Sequence, residues 1–290
     1  MKETISIKIF NTLKQGKEKL NKDALFRVKD FVESQRLSDG SFVNKNRKSD
    51  IYYTAFGWML SYVFGMDTDC NKTASYLKKQ DIQQLDLIHY AAYIRCRMIQ
   101  HLFEGGTLKL LLNSFSKINI RPRSSFDNVP HNDIESPYTQ FMWLSLLEDT
   151  HNPIQNRDAI LVSLQNYHVS GGGYSNMKDG VTAATNASSA ALSVIGQLTE
   201  YKYTADLNYL LNIQSDTGGF AATEHTPLPD ILSTATALFV LDCYNKKPEV
   251  SPVGFIDAHW LDNGGFSATL QEETSDVEYT FYGLLALGTI

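Results

Sequence analysis

Three segments of this chain align without a gap: QNYHVSGGGY ending at Tyr174, NIQSDTGGF ending at Phe220 and HWLDNGGF ending at Phe266. The closing aromatics stand at 174, 220 and 266, evenly 46 residues apart. A fourth copy, ESQRLSDGSF, closes at Phe42. A fixed period of this length marks a repeat architecture, in which one supersecondary unit recurs and neighbours bury each other's apolar faces. Each copy reads as an apolar helical stretch, a Gly-rich turn that closes on an aromatic, and a second helical stretch.

The second stretches carry their own signature. Asp50-IYYTAFGWML, Asp230-ILSTATALFVL and Asp276-VEYTFYGLLAL share an Asp followed four residues later by Thr54, Thr234 and Thr280. Weaker versions begin at Asp86, Glu135 and Ala184. Six starts at intervals of 36 to 49 residues predict six helical hairpins. The first stretches, such as DAILVSLQNY and ADLNYLLNIQ, place apolar residues at three-and-four spacing, as one-faced helices do. The second stretches are apolar nearly all round, so they are expected inside, ringed by the first set. The Gly turns end one helix and reverse the chain. The Asp at each inner start can cap free N–H groups at the positive end of the helix dipole.

An open stack of hairpins exposes its end helices and needs polar capping repeats. The last inner stretch, YTFYGLLALGTI, is instead apolar to its end and needs a partner, which a closed ring supplies from the first hairpin. The expected fold is therefore all-α: an (α/α)6 toroid, or barrel, of about twelve helices in a single domain. Residues 1–22 are lysine-rich and read as a helical arm, with the toroid over 23–290. The segment 119–133 replaces the Gly-rich turn by a longer loop and reads as a lid or a surface excursion.

Composition bounds the partners. Among 290 residues, 43% are hydrophobic and 20% charged, with a net charge of −6, which excludes a disordered chain and argues against nucleic acid as a partner. No apolar run approaches the roughly 18–20 residues of a membrane-spanning helix, and the N-terminal stretch lacks a signal-peptide core, so a cytoplasmic location is expected. Cys70, Cys96 and Cys243 are too few and too scattered for a disulfide framework or a thiolate metal cage.

The repeat, Gln-x3–5-Gly-(Gly/Ser)-Phe followed by Asp-x3-Thr and an apolar helix, resembles that of protein prenyltransferase β subunits and squalene or terpenoid cyclases. The resemblance runs from about residue 24 to the end. It implies an α/α barrel whose aromatic-lined central cavity holds an isoprenoid chain, and, as for the β subunits, a helical partner protein. The inner stretches do carry a dense aromatic set: Tyr52, Tyr53, Phe56, Trp58, Tyr90 and Tyr93 in the first half, then Tyr138, Phe141, Trp143, Phe239, Tyr279, Phe281 and Tyr282. Such rings can bury hydrocarbon at roughly 0.8 kcal/mol per CH₂ and stabilise a carbocation with their faces. They can equally pack inner helices against outer ones.

Zinc-dependent protein prenyltransferases place Asp-x-Cys at the start of one inner helix and His at the start of the next. The matching positions here are Asp230-Ile231-Leu232 and Tyr279, so the zinc ligand set is incomplete and no metal or other cofactor is expected. The family's basic diphosphate clamp corresponds to AATEHTPLP, in which His225 is the one group that can become cationic. Proton-initiated terpenoid cyclases use Asp-x-Asp-Asp-Thr-Ala, with the third position as general acid. Asp50 and Asp230 keep the first Asp and the Thr-Ala, while Asp276 is followed by Glu278 at the third position. An alkene needs a desolvated acid held neutral, which a neighbouring carboxylate favours.

The expected site therefore has Glu278, Asp276, Asp230 and Asp50 as catalytic candidates at one end of the barrel. Tyr52, Tyr53, Tyr90, Tyr138, Trp143, Tyr279, Phe281, Arg95 and His225 are the candidates for substrate binding. Arg95, with Arg97, is an unusual cation on an apolar stretch and can hold an anion or pair with acids on neighbouring helices. Arg121 and Arg123 flank Pro122 and are candidates for gating. His89, His131 and His168 have no spaced partner and read as solvated or core histidines. Two main readings stand: an isoprenoid-handling enzyme, and a non-catalytic toroid that binds a lipid or a protein with its acids serving only as helix caps. An (α/α)6 carbohydrate-active enzyme is a third class, which the Asp-x3-Thr repeat does not suggest.

Overall fold

Eleven of the fourteen residues of the helix Ile51–Phe64 are buried, against three of thirteen in Lys22–Ser34. That contrast separates two layers among the described residues. The computed structural model describes residues 3–106, 119–126, 134–200 and 204–290. In chain order the described helices are α1 (Ile5–Glu18), α2 (Lys22–Ser34), α3 (Ile51–Phe64), α4 (Cys70–Lys78), α5 (Leu87–Phe103), α6 (Pro137–Asp149), α7 (Arg157–Gln165), α8 (Thr185–Leu198), α9 (Thr204–Asn212), α10 (Ile231–Cys243), α11 (Val253–Ala258) and α12 (Val277–Gly288).

The inner helices α3, α5, α6, α8, α10 and α12 pack each against the next, and α12 packs back on α3. The ring is closed, and the fold is the all-α toroid expected from the repeat. Helices α2, α4, α7, α9 and α11 form the outer layer over the described residues. The seam is tied outside as well, where the Arg27 guanidinium on α2 donates to the carbonyl of Asp262, 3.2 Å away, in the last Gly-rich turn. No described helix is long and apolar enough to cross a membrane.

Among the described residues an outer helix precedes every inner helix except α6, and α1, with the preceding Glu3, meets the C-terminal ends of α3, α6, α8 and α12 on one side, so the inner helices point the same way. Their N-termini surround a mouth and their C-termini a floor. Asp50, Asp86, Asp230 and Asp276 are N-caps, as their positions predict. At α6 the cap is Ser136 rather than Glu135: its Oγ accepts from the Thr139 N–H. At α8 Ala184 has no capping side chain, and the Thr185 N–H is satisfied by the Ala222 carbonyl of the following loop at 2.9 Å. The same loop-to-helix device joins the Ile231 N–H to the Ala268 carbonyl at 3.0 Å. Two short antiparallel ladders, β1 (Phe42–Val43) with β2 (Ser49–Asp50) and β3 (Phe220–Ala221) with β4 (Pro229–Asp230), pair the closing Phe of a turn with the capping Asp of the next inner helix.

Helix α1 lies across the floor. The Ile5 N–H donates to Glu148 Oε2 at 2.9 Å, and Ser6 Oγ to Asp149 Oδ2 at 2.7 Å, both at the end of α6. At its other end Lys17 Nζ reaches the Val63 carbonyl of α3 at 2.8 Å, and the following Lys19 reaches the carbonyls of Leu287 and Ile290. These ammonium groups meet helix C-termini, where the dipole is negative. Gly16 and Gly288 let α1 and α12 cross at backbone contact: a Cβ on Gly16 would overlap the Leu284 carbonyl, and one on Gly288 the Thr12 carbonyl.

Candidate functional site

A cavity of about 270 Å³ occupies the middle of the ring. All six inner helices line it. Its walls include Tyr52, Phe56 and Met59 of α3, Arg95 of α5, Tyr138 and Phe141 of α6, Ser189 and Ser193 of α8, Leu232 and Phe239 of α10, and Phe281 and Tyr282 of α12. Ile9 of α1 contributes from below. The rings meet edge to face: Tyr52 on Phe56 with centroids 4.9 Å apart, Phe56 on Phe281 at 4.9 Å, and Phe281 on Tyr282 at 5.4 Å. Such contacts hold the rings in place along the cavity wall.

The carboxylates at the mouth divide by role. Asp50 Oδ1 accepts from the Tyr52 and Tyr53 N–H groups at 2.8 and 3.2 Å. Asp276 Oδ1 accepts from the Tyr279 N–H at 2.8 Å. Both oxygens of Asp230 are engaged by Ser233, one by the N–H and one by the hydroxyl, each at 2.7 Å. Burial pushes the Asp230 and Asp276 carboxyls above the usual carboxylate range, and the bonds from their own helices pull them back.

Glu278 is different, because it does not cap. It sits in the first turn of α12 and accepts from the Tyr52 hydroxyl at 2.8 Å. Burial pushes its carboxyl up, with Asp276 adding to the rise, while hydrogen bonds from Tyr52 and Tyr53 and the charge of Lys45 oppose it. Tyr52 is itself a wall of the cavity, so the acid reaches the chamber through one phenol. Burial holds the Tyr52, Tyr138 and Tyr282 phenols neutral, as hydroxyl donors.

Of the residues expected to bind a ligand, Tyr52, Tyr138, Phe281 and Arg95 line the chamber. Tyr53 stays at the mouth beside Glu278. Tyr279 also remains there, with Lys45 Nζ 2.7 Å from its hydroxyl and 4.4 Å from its ring centroid. Tyr90 and Trp143 face away: both rings pack on Phe126, and the Tyr90 hydroxyl accepts from the Arg121 N–H. Trp58 lies fully buried behind α3, its indole N–H donating to the Gly40 carbonyl at 2.8 Å. His225 is on the exposed loop before α10, 3.5 Å from Glu224.

The two gating candidates are structural. The Arg121 guanidinium donates to the carbonyls of Ile82 and Leu85 at 2.8 and 3.0 Å, and Arg123 donates to Gln140 Oε1 at 2.8 Å. Arg97 is exposed. His89 and His168 do have partners, Asp86 at 2.8 Å and Asp206 at 2.9 Å. His131 and the rest of 127–133 fall outside the described residues.

The chamber also has a polar wall that the aromatic pattern did not reveal: Asn186, Ser189 and Ser193 on α8, with Thr236 on α10. The signal was present in the run of small residues TNASSAALS, where short side chains leave room for a cavity. No group of three His, Cys, Asp or Glu side chains suited to a metal ion occurs among the described residues. The positions that would hold zinc in the resembled transferases do not fit it. Leu232 is an apolar wall, Tyr279 is engaged by Lys45, and the Asp230 oxygens are committed to Ser233.

The crystal structure of a protein from Actinoplanes has a similar fold, with a TM-score of 0.55 over 92% of this chain and 98% of that one, at 12% sequence identity. No curated protein matches the chain significantly. The family model of the prenyltransferase alpha-alpha toroid domain matches residues 73–226 and 188–259. With its closed ring of six inner helices, the chain belongs to the prenyltransferase alpha-alpha toroid domain family.

Proposed function

We propose that this chain is an isoprenoid-handling enzyme that encloses a short hydrocarbon in the central chamber and protonates it from the mouth. The observation that carries the reading is the 2.8 Å hydrogen bond between Glu278 and Tyr52, one partner a half-buried acid and the other a wall of an apolar cavity. In the reacting state the bond reverses: protonated Glu278 donates its proton to the Tyr52 oxygen while the Tyr52 hydroxyl turns and gives its own proton to an alkene carbon, leaving Glu278 ionised. The π faces of Phe56, Phe281 and Tyr282 stabilise the cation that results. Return of a proton from the carbon skeleton to the Tyr52–Glu278 pair completes an isomerisation or a cyclisation with no net change in the protein. The chamber, at about 270 Å³, lies near the small end of the ~300–1,000 Å³ of most ligand pockets, which favours a short chain over one of squalene length.

The test is incubation of the full chain with farnesyl diphosphate, geranylgeranyl diphosphate and squalene, followed by product analysis. Turnover that survives Glu278→Gln removes Glu278 as the acid. Binding without turnover supports the second reading, a passive lipid-binding toroid. The specific observation in favour of that reading is that Asp50, Asp230 and Asp276 all serve as helix caps.

The reading includes a cytoplasmic setting and a helical partner protein at the mouth. Met177, Val181, Leu228 and Leu270, on the loops leading into α8, α10 and α12, are exposed apolar residues that suit such a partner.

A further inference from the structure

Arg95 interrupts the apolar lining of the chamber. It stands nine residues beyond the cap of α5, whereas Tyr52 stands two beyond the cap of α3. On parallel helices that difference of seven residues sets Arg95 about 10 Å deeper, at a rise of ~1.5 Å per residue. Its Nε is buried and has no hydrogen-bond partner, and none of the ion pairs among the described residues includes it. Asp149 feels its charge from the floor, but that carboxyl is already held by Ser6 Oγ at 2.7 Å.

A second orphan shares the chamber. Ser189, 3% exposed, has an Oγ with no partner. Tyr138 and Tyr282, which also feel the Arg95 charge, add neutral phenols to the same lining. Buried polar groups are nearly always hydrogen-bonded, and a buried cation without a partner is costly. Leaving the Arg95 Nε–H and the Ser189 hydroxyl without partners beside one cavity points to a ligand that supplies the missing acceptor.

We propose that the ligand of this chamber carries an anionic head group, a carboxylate or a phosphate, which Arg95 receives at depth while the apolar chain runs toward Tyr52 at the mouth. The inference rests on the chamber being the ligand site, and it adds the class and direction of the ligand. The head sits inside and the far end of the hydrocarbon lies beside the Tyr52–Glu278 pair. A guanidinium suits this task because its fixed fork matches a carboxylate or phosphate edge with two parallel hydrogen bonds. The other polar groups of the lining are hydroxyls and one amide, which can add donors to the anion.

The test is titration of the purified full chain at pH 7.5 with farnesoate, farnesyl monophosphate and farnesol, which share one hydrocarbon. Wild type is expected to bind at least one of the two acids ~10-fold or more tightly than the alcohol, as a charge-assisted hydrogen bond implies. The acid that wins identifies the head as carboxylate or phosphate. Arg95→Met is expected to bring that acid down to the level of farnesol. Arg95→Lys is expected to retain part of the preference. Equal binding of acids and alcohol by wild type overturns the proposal, and so does an acid preference that survives Arg95→Met. The wild-type comparison decides even if Arg95→Met does not fold. Farnesol binding without any acid preference refutes the head-group assignment alone, whereas no binding of any of the three refutes the chamber as a ligand site as well.

Discussion

The backbone N–H of Phe220 donates to Oγ1 of Thr234 at 2.9 Å, fourteen residues further along the chain and inside the core. The same bond joins Phe266 to Thr280 at 3.2 Å and Phe42 to Thr54 at 3.0 Å, and in the copy without Thr it joins Tyr174 to Ser188 at 2.8 Å. Thr54 and Thr280 also donate to the carbonyls of Asp50 and Asp276. The two halves of the repeat motif are thus one structural unit. The turn ends on an aromatic whose N–H needs an acceptor, and the inner helix provides a hydroxyl at its first turn.

Thr234→Val keeps the volume and removes the acceptor, leaving the Phe220 N–H buried and unpaired. It is expected to lower the unfolding free energy by about 1–3 kcal/mol in a denaturant titration. Thr234→Ser is expected to recover most of that loss, since Ser188 performs the same task for Tyr174. Equal losses in the two variants would assign the effect to packing instead.

The pair of Glu278 and Tyr52 predicts a pH dependence of catalysis. Burial raises the Glu278 carboxyl, so its proton is retained further toward neutrality than in an exposed glutamate. Turnover should be highest on the acid side and fall as pH rises and Glu278 ionises. Glu278→Gln is expected to reduce kcat by ~10²–10⁴ and to abolish the pH limb. Tyr52→Phe should do nearly as much, because it cuts the path into the chamber.

Filling the chamber separates ligand binding from stability. Ala190 lines the cavity from α8 and is nearly buried. Ala190→Leu places three more carbons in open space and should leave the thermal midpoint unchanged or raised. Farnesol affinity is expected to fall at least ~10-fold as the volume is lost. A lowered midpoint with unchanged affinity would mean that the guest does not occupy this space.

The floor predicts a dependence of stability on pH. Glu148 accepts the Ile5 N–H, and burial pushes its carboxyl up to about 7, with Asp149 adding to the rise while Gln197 and Lys8 oppose it. Between its ordinary 4.5 and about 7 the folded state holds a proton that the unfolded state has released. Stability should therefore fall as pH rises through that window. Glu148 is partly open to water, so the loss is expected to be about 1–2 kcal/mol. Denaturant titrations at pH 5 and 8 measure it, and Glu148→Gln should flatten the difference.

The crossing of α1 over α12 is expected to tolerate no side chain. Gly16→Val forces the Leu284 carbonyl away and should cost about 2 kcal/mol or more. Hydrogen exchange locates the effect: amides of α1 should lose protection while those of α10 keep it.

Much of this architecture was legible in the sequence because a repeat states each rule several times. The 46-residue period, the all-round apolar second stretches and the capping Asp residues predict inner helices, turns and a closed ring, and the structure has all three. Glu135 misled because a neighbouring Ser136 caps better from the position before Pro137. Tyr90, Trp143 and Trp58 share the inner helices with the chamber rings yet face outward. On a helix that is apolar all round, composition does not distinguish the side facing the axis from the side facing the outer layer.

Local sequence by itself determined which segments become helices and that they must pair, and it set the starts of α3, α5, α10 and α12 through their capping Asp residues, since caps, turns and periodicity act over a few residues. Only the tertiary structure decided that Glu278 reaches Tyr52 across 226 positions, that α1 closes the floor, and that Arg95 stands in the chamber with an unpartnered donor. Those facts depend on the rotation of each helix about its own axis. Close packing around the whole ring sets that rotation, and no single segment encodes it.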